Sequence, residues 1–158
     1  MLKLIPLLLS ATVLFQCQGD AKGMKAYTYA NGTKSEQQLT APDQETVKTI
    51  IAELFKGTSD MLRVRVDDDR INDIRNKERA IEIVFDELQT FKSKDLGSFS
   101  IRRLFVPLTG DYVGDANNPS ATLFPANDDG FMSGPLENPN GYSALLRLDS
   151  VMTKAGKK

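Results

Sequence analysis

The residue types that most often perform chemistry in proteins are scarce in this chain of 158 residues, which has no histidine and only one cysteine. Without imidazole there is no Ser-His or Cys-His nucleophile system and no His-ligated metal or haem. A lone cysteine closes no internal disulfide and builds no cysteine-rich zinc or iron–sulfur site. Any binding or catalysis must therefore use carboxylates, Lys, Arg, Tyr, hydroxyl or backbone groups, and we predict no cofactor.

Two pairs of arginines are the candidate ligand-binding residues. Arg63 and Arg65 alternate in one segment, and Arg102 and Arg103 are adjacent in another. The guanidinium fork matches the geometry of carboxylate and sulfate groups. The four side chains can form a cationic strip for an anionic ligand, and the alternative is that each balances nearby acids.

Three carboxylates close together in the sequence, Glu82, Asp86 and Glu87, raise the question of hydrolysis. Paired carboxylates can cleave glycosidic bonds, and a deep cleft that holds Glu82 or Glu87 would favour an exported hydrolase. The simpler interpretation is an exposed acidic face. No Ser-x-x-Lys or phosphate-binding glycine motif accompanies these acids, so we assign no catalytic residue.

A second acidic region, residues 104–146, contains no Lys or Arg and is rich in Pro, Gly and Asn. We predict rigid surface turns that connect strands. Long structured loops are often functional, so the alternatives are a 107–141 loop that a secreted inhibitor presents to its target, or an oxygen-rich Ca²⁺ site. The metal candidates are Asp111, Asp115, Asp128 and Asp129.

The run Asp67-Asp68-Asp69 resembles the start of a calcium-binding loop, but the pattern fails further along. Ile71 stands where an oxygen ligand is needed, and Asn72 replaces the central glycine. We predict a solvated hairpin turn here.

The amino-terminal segment reads as an export signal over residues 1–16. Lys3 precedes an uncharged apolar run, which stops at a polar stretch and is short for a membrane span. Leu14-Phe15-Gln16-Cys17 resembles a bacterial lipobox, and this resemblance implies that Cys17 carries the lipid that anchors the protein to a membrane. Residues 17–24 then form a tether. The competing interpretation is cleavage after Ala21, which gives a soluble secreted protein.

Periodicity predicts the elements that must position these side chains. One amphipathic helix covers 42–56, with Thr40 as its cap and an apolar stripe at helical spacing. Strand patterns cover 25–29, followed by the Asn31-Gly32 turn, and several later segments. These later strands are predicted at 61–66, 80–86, 88–92, 98–108 and 143–152, with a local interruption at Arg102-Arg103. For 80–91 and 143–152 a helix is the alternative that the pattern leaves open, and 71–79 is a helical turn or a loop.

This order predicts an α+β fold in which one amphipathic helix packs on a curved antiparallel sheet. Cystatin-like folds are similar in element order, but the Gln-x-Val-x-Gly motif is absent and no function is carried over. The body is a single domain over residues 25–153, followed by a basic tail at 154–158.

Taken together, these features favour a non-catalytic exported lipoprotein that faces the periplasm or the outer surface. We expect a binding or envelope-assembly module whose partner is an envelope protein or a small ligand. The net charge is −1. We expect no nucleic-acid partner, because nucleic-acid binders normally carry a basic surplus.

Overall fold

The computed structural model describes residues 23–157, which form three helices and an eight-stranded antiparallel sheet. The α+β class is confirmed. The signal, the lipobox and residues 17–22 of the tether lie outside the described residues. The elements are β1 (Met24–Ala30), β2 (Thr33–Gln37), α1 (Ala41–Lys56), β3 (Asp60–Met61), α2 (Asp68–Lys77), β4 (Ala80–Ser93), β5 (Gly97–Pro107), β6 (Ala121–Asn127), β7 (Gly130–Phe131), β8 (Leu136–Asn138) and α3 (Tyr142–Ala155).

The sheet has the strand order β2-β1-β4-β5-β6-β8-β3, and β7 also pairs with β6. The long strands β4 and β5 therefore lie in the middle, and β2 forms one edge. None of the helices between residues 23 and 157 is long and apolar enough to cross a bilayer.

The predicted turn at Asn31-Gly32 connects β1 to β2, a strand that the sequence patterns did not predict. Asn31 and Gly32 have φ angles of 49° and 78°, so both occupy the left-handed region. Two such residues in a two-residue loop make the type I′ turn, whose twist matches that of the flanking strands. The turn fixes the register, with Ala30 opposite Thr33 and Tyr29 opposite Lys34.

The predicted helix is confirmed as α1. Thr40 and Asp43 form a reciprocal capping box, which satisfies backbone N–H groups at the amino end. The apolar stripe from Val47 to Phe55 is buried, and Lys56 with Gly57 ends the helix.

The carboxyl-terminal segment is a helix, so the strand that we favoured at 143–152 is wrong and the helical alternative is right. Leu145, Leu148 and Met152 are buried along one side of α3, whereas Leu146 is 51% exposed. Leu146, Leu148 and Ser150 also fit a period of two, but packing against α1 selects the helical face. The helix continues through Ala155, into the predicted basic tail.

The acidic run also begins a helix, so the predicted hairpin turn is wrong. The Asp67 carboxylate accepts a hydrogen bond of 3.0 Å from the Arg70 N–H and caps α2. Asp68 and Asp69 lie in the first turn, where negative charge is favoured by the helix dipole. The preceding 61–66 segment is also not the predicted strand, since β3 ends at Met61.

The 80–92 region is one strand, not two. The β4–β5 register shifts between Val84 and Gln89, and this irregularity lies opposite the predicted interruption at Arg102-Arg103. Ile101 and Leu104 are three residues apart in β5 and would lie on opposite faces of a regular strand. Because of the bulge, both side chains face the same core.

The 104–146 region does not consist only of the predicted turns between strands, because it contains β6, β7 and β8. Residues 121–126 of β6 are buried within the sheet. The 107–141 segment is therefore not a single protruding loop, and its Pro, Gly and Asn residues concentrate in the connections.

Helices cover both faces of the sheet, which corrects the prediction of a single helix. On one face, α1 and α3 pack against the larger core, which includes Ile81, Ile83 and Leu104. On the opposite face, which we call the α2 face, Ile71 and Ile74 of α2 pack against a smaller aromatic core. The likeness to cystatins in element order is not confirmed.

Candidate anion-binding surface

A buried carboxylate surrounded by cations lies on the α2 face of the sheet. Glu82 is in the middle of β4, with Tyr27 of β1 and Phe105 of β5 as its cross-strand neighbours. We define the Glu82 surface as Glu82 and the seven residues that surround or flank its carboxylate, eight residues in all. They are Tyr27, Tyr29, Lys34, Arg75, Glu82, Arg103, Phe105 and Phe131.

Two rigid contacts hold the Glu82 carboxylate, whose side chain is 4% exposed. The Tyr29 hydroxyl donates to Oε2 at 2.5 Å, and Arg75 Nη2 donates to Oε1 at 2.8 Å. A buried charge is tolerated when it is paired and hydrogen-bonded in this way. Glu82 thus fixes the positions of Tyr29 and of the last turn of α2.

The surroundings of Tyr29 keep its hydroxyl protonated. Burial raises the pKa of Tyr29 well above its ordinary value, and the hydrogen bond to Glu82 raises the pKa further. The phenol therefore acts as a hydrogen-bond donor to the carboxylate throughout the neutral range.

Two further cations approach Glu82 more loosely. Arg103 Nε lies 3.6 Å from Oε1, and Lys34 Nζ lies 4.0 Å from Oε2. Their side chains are 44% and 49% exposed, so both present donors to solvent. With Arg75, three cations face one carboxylate.

The charges at the rim of the Glu82 surface do not alter its positive balance. Lys25 and Glu36 lie on the same side of β1 and β2 as Tyr27 and Lys34, because residues two apart on a strand share a face. Their charges offset each other. The surface as a whole therefore retains an excess of two positive charges.

Aromatic rings support the cationic groups. Lys34 Nζ lies 3.8 Å from the centre of the Tyr27 ring, and the Arg75 guanidinium carbon lies 5.2 Å from that of Tyr29. The Arg103 guanidinium lies 6.0 Å from the Phe131 ring. Such contacts attract a cation to the ring face and limit its movement. The result is a shallow cationic surface with apolar rings beside it.

The arginines predicted to form a strip do not come together. Only Arg103 belongs to the Glu82 surface. Arg102 turns away and pairs with Asp128 at 2.8 Å, and the hydrogen bond to this carboxylate raises the Arg102 pKa. Arg63 and Arg65 are exposed in the segment before α2, where Arg65 lies 3.7 Å from Asp67.

The three carboxylates of β4 and its bulge also separate. Asp86 and Glu87 are exposed in the bulge, where Asp86 accepts a hydrogen bond from the Gly23 N–H. Glu82 is buried, so the expected exposed acidic face does not include it. Both Glu82 oxygens already accept hydrogen bonds. This arrangement suits a carboxylate that holds neighbouring donors in place better than one that attacks a substrate.

The acids proposed as metal ligands are dispersed. Asp111 lines a cleft of about 670 Å³ beside α2, together with Tyr112. Asp115 accepts hydrogen bonds from the N–H groups of Asn117 and Asn118, which lower its pKa. Asp128 pairs with Arg102, and Asp129 is exposed. Residues 23–157 contain no group of three acids placed to hold a metal ion.

Sequence reasoning missed Tyr29, Lys34 and Arg75. The Asn31-Gly32 turn carried a usable signal, because it places Tyr29 and Lys34 opposite each other. Arg75 carried none, since its role depends on how α2 packs.

Comparison of the chain with protein-family models, with curated proteins and with solved structures gives no match. The function is therefore inferred from the residues of the chain alone.

Proposed function

We propose that this protein is an exported lipoprotein, anchored through Cys17, that serves as a binding or envelope-assembly module. The Glu82 surface binds a carboxylate or phosphate group of its ligand. The observation that carries this proposal is the charge imbalance around Glu82, where Lys34 and Arg103 remain half exposed.

Glu82 neutralises only one of the three cations around it, and a bound anion would neutralise part of the remaining positive charge. Arg103 offers a guanidinium fork, and Lys34 adds a flexible charge beside it. The aromatic contacts hold both groups before the ligand arrives, which reduces the ordering cost of binding. The adjacent rings of Tyr27 and Phe131 favour a ligand with an apolar group next to its anion.

The matched pair of variants Arg103→Gln and Arg102→Gln tests this proposal. The purified protein is titrated with glycerol phosphate and, separately, with glutarate, and NMR follows the amides of β2, β4 and β5. We expect saturable shifts near Lys34 and Arg103 with at least one of the two probes. Loss of one charged hydrogen bond weakens binding about tenfold in Arg103→Gln.

Arg102→Gln is the control, because Arg102 pairs with Asp128 away from the Glu82 surface. Its affinity should equal that of the wild type. Equal weakening in both variants, or the absence of saturable shifts with either probe, would contradict the proposed site.

A further inference from the structure

Among residues 23–157, the strand β2 is an edge of the sheet and pairs with no strand other than β1. It pairs with β1 on one side, and residues 33–36 are exposed. An edge strand presents a row of N–H and C=O groups that can pair with another strand. A partner can therefore extend the sheet at β2.

The hairpin geometry determines which backbone groups point outward. Residues that flank a two-residue turn form a hydrogen-bonded pair, so Ala30 and Thr33 bond to each other. Bonded and non-bonded pairs alternate along the ladder, which turns Ser35 toward β1 as well. The backbone groups of Lys34 and Glu36 consequently face the open edge.

We propose that two copies of this chain associate through antiparallel pairing of their β2 strands, centred on Ser35. In this register Lys34 of each copy lies opposite Glu36 of the other copy, and the two residues exchange both backbone hydrogen bonds. Opposite charges that face each other across an antiparallel pair are stabilising. The sequence Thr33-Lys34-Ser35-Glu36-Gln37 is thus complementary to itself.

The competing symmetric registers are unfavourable. Centring the pair on Lys34 or on Glu36 places two like charges directly opposite each other, which is destabilising. A shift by one residue instead brings inward-facing backbone groups to the new interface, where they cannot bond to the second copy. One register satisfies both the backbone and the charges.

This association has a geometric consequence. Side chains directly opposite each other in a sheet lie on the same face. The two-fold axis is then perpendicular to the sheet, and the Glu82 surfaces of both copies face the same way. A dimer would present two cationic surfaces side by side.

Sedimentation equilibrium of the wild type and charge variants tests the dimer. We expect concentration-dependent dimerisation of the wild type and about tenfold weaker dimerisation of Glu36→Lys, which places Lys34 opposite a second lysine. The double variant Lys34→Glu/Glu36→Lys restores opposite charges and should restore dimerisation. Glu87→Lys makes the same charge change in the exposed bulge and should leave the equilibrium unchanged.

Glu36→Pro provides a second, independent test. Proline removes an outward N–H that β1 does not use, so the hairpin is retained while pairing between copies is blocked. In the wild-type dimer, hydrogen exchange should be slow at the Lys34 and Glu36 amides. A wild type that stays monomeric, a dimer unaffected by Glu36→Lys, or fast exchange at both amides in a dimer would overturn the inference.

Discussion

At the scale of single residues, charged side chains that are close in sequence have different partners and different burial. Arg102 and Arg103 are adjacent in sequence, yet one pairs with Asp128 and the other faces Glu82. Glu82 is nearly buried, whereas Glu87 is exposed. The chemistry available to each charge therefore depends on which face of the sheet it occupies.

Tyr29 makes the stability of the protein sensitive to alkaline pH. Its pKa is raised in the folded state, while the unfolded chain ionises near pH 10. Below pH 10 both states keep the proton, so stability is unaffected. Above pH 10 the unfolded state loses the proton first, and the free energy of unfolding falls by roughly 1.4 kcal/mol per pH unit for this one group.

Urea unfolding between pH 8 and pH 11 measures this effect. Tyr29→Phe removes the group and should show a shallower alkaline loss of stability than the wild type, although it is less stable at pH 8 because Glu82 loses a hydrogen bond. Tyr142→Phe is the control, since Tyr142 lies outside the Glu82 surface. Parallel curves for Tyr29→Phe and the wild type would refute the assignment.

At the scale of elements, some helices and turns are determined by local sequence patterns, and others by tertiary contacts. The Thr40 cap and the apolar stripe predicted α1, and Asn31-Gly32 predicted a turn after β1. The Leu-rich segment that became α3 fits both a strand and a helix when read alone. Contact with α1 buries Leu145, Leu148 and Met152 together, which only the helical arrangement permits.

The pair Leu148→Ala and Leu146→Ala distinguishes these two arrangements. In a strand both side chains would share a face, whereas in α3 Leu148 is fully buried and Leu146 is half exposed. We expect Leu148→Ala to lower the free energy of unfolding by about 3 kcal/mol, and Leu146→Ala by about 0.5 kcal/mol or less. Denaturant titrations measure both values, and equal losses would contradict the helical packing.

At the scale of the whole molecule, the sheet is covered differently on its two faces. The pair α1 and α3 covers one face, and the shorter α2 covers part of the other. Cations and aromatic rings therefore remain accessible beside α2. The proposed lipid anchor at Cys17 precedes this domain in sequence and would hold it near a membrane surface.

Metabolic labelling with a radioactive fatty acid tests the anchor. The wild type should incorporate label and fractionate with membranes, because diacyl modification provides stable anchoring. Cys17→Ala should lose both the label and the membrane fraction. A mature wild-type chain that begins at Lys22 would instead show that the signal is cleaved after Ala21 and that no lipid is attached.

The sequence by itself determined the features whose causes lie within about fifteen residues. These are the α1 helix with its cap, the Asn31-Gly32 turn and the strand character of 98–108. In these elements, residues close in sequence form hydrogen bonds with each other's backbone or place their apolar side chains on one face. The local sequence is therefore enough to predict them.

Only the tertiary structure decided the rest. The helical state of α3, the placement of α2 and the strands within 104–146 depend on which apolar faces meet. The Glu82 surface joins Lys34, Arg75 and Arg103 from three separate elements around one carboxylate. The buried Glu82 carboxylate needs cationic partners, and these come from parts of the chain that are far apart in sequence. No short stretch of sequence therefore predicts the charge balance of this surface.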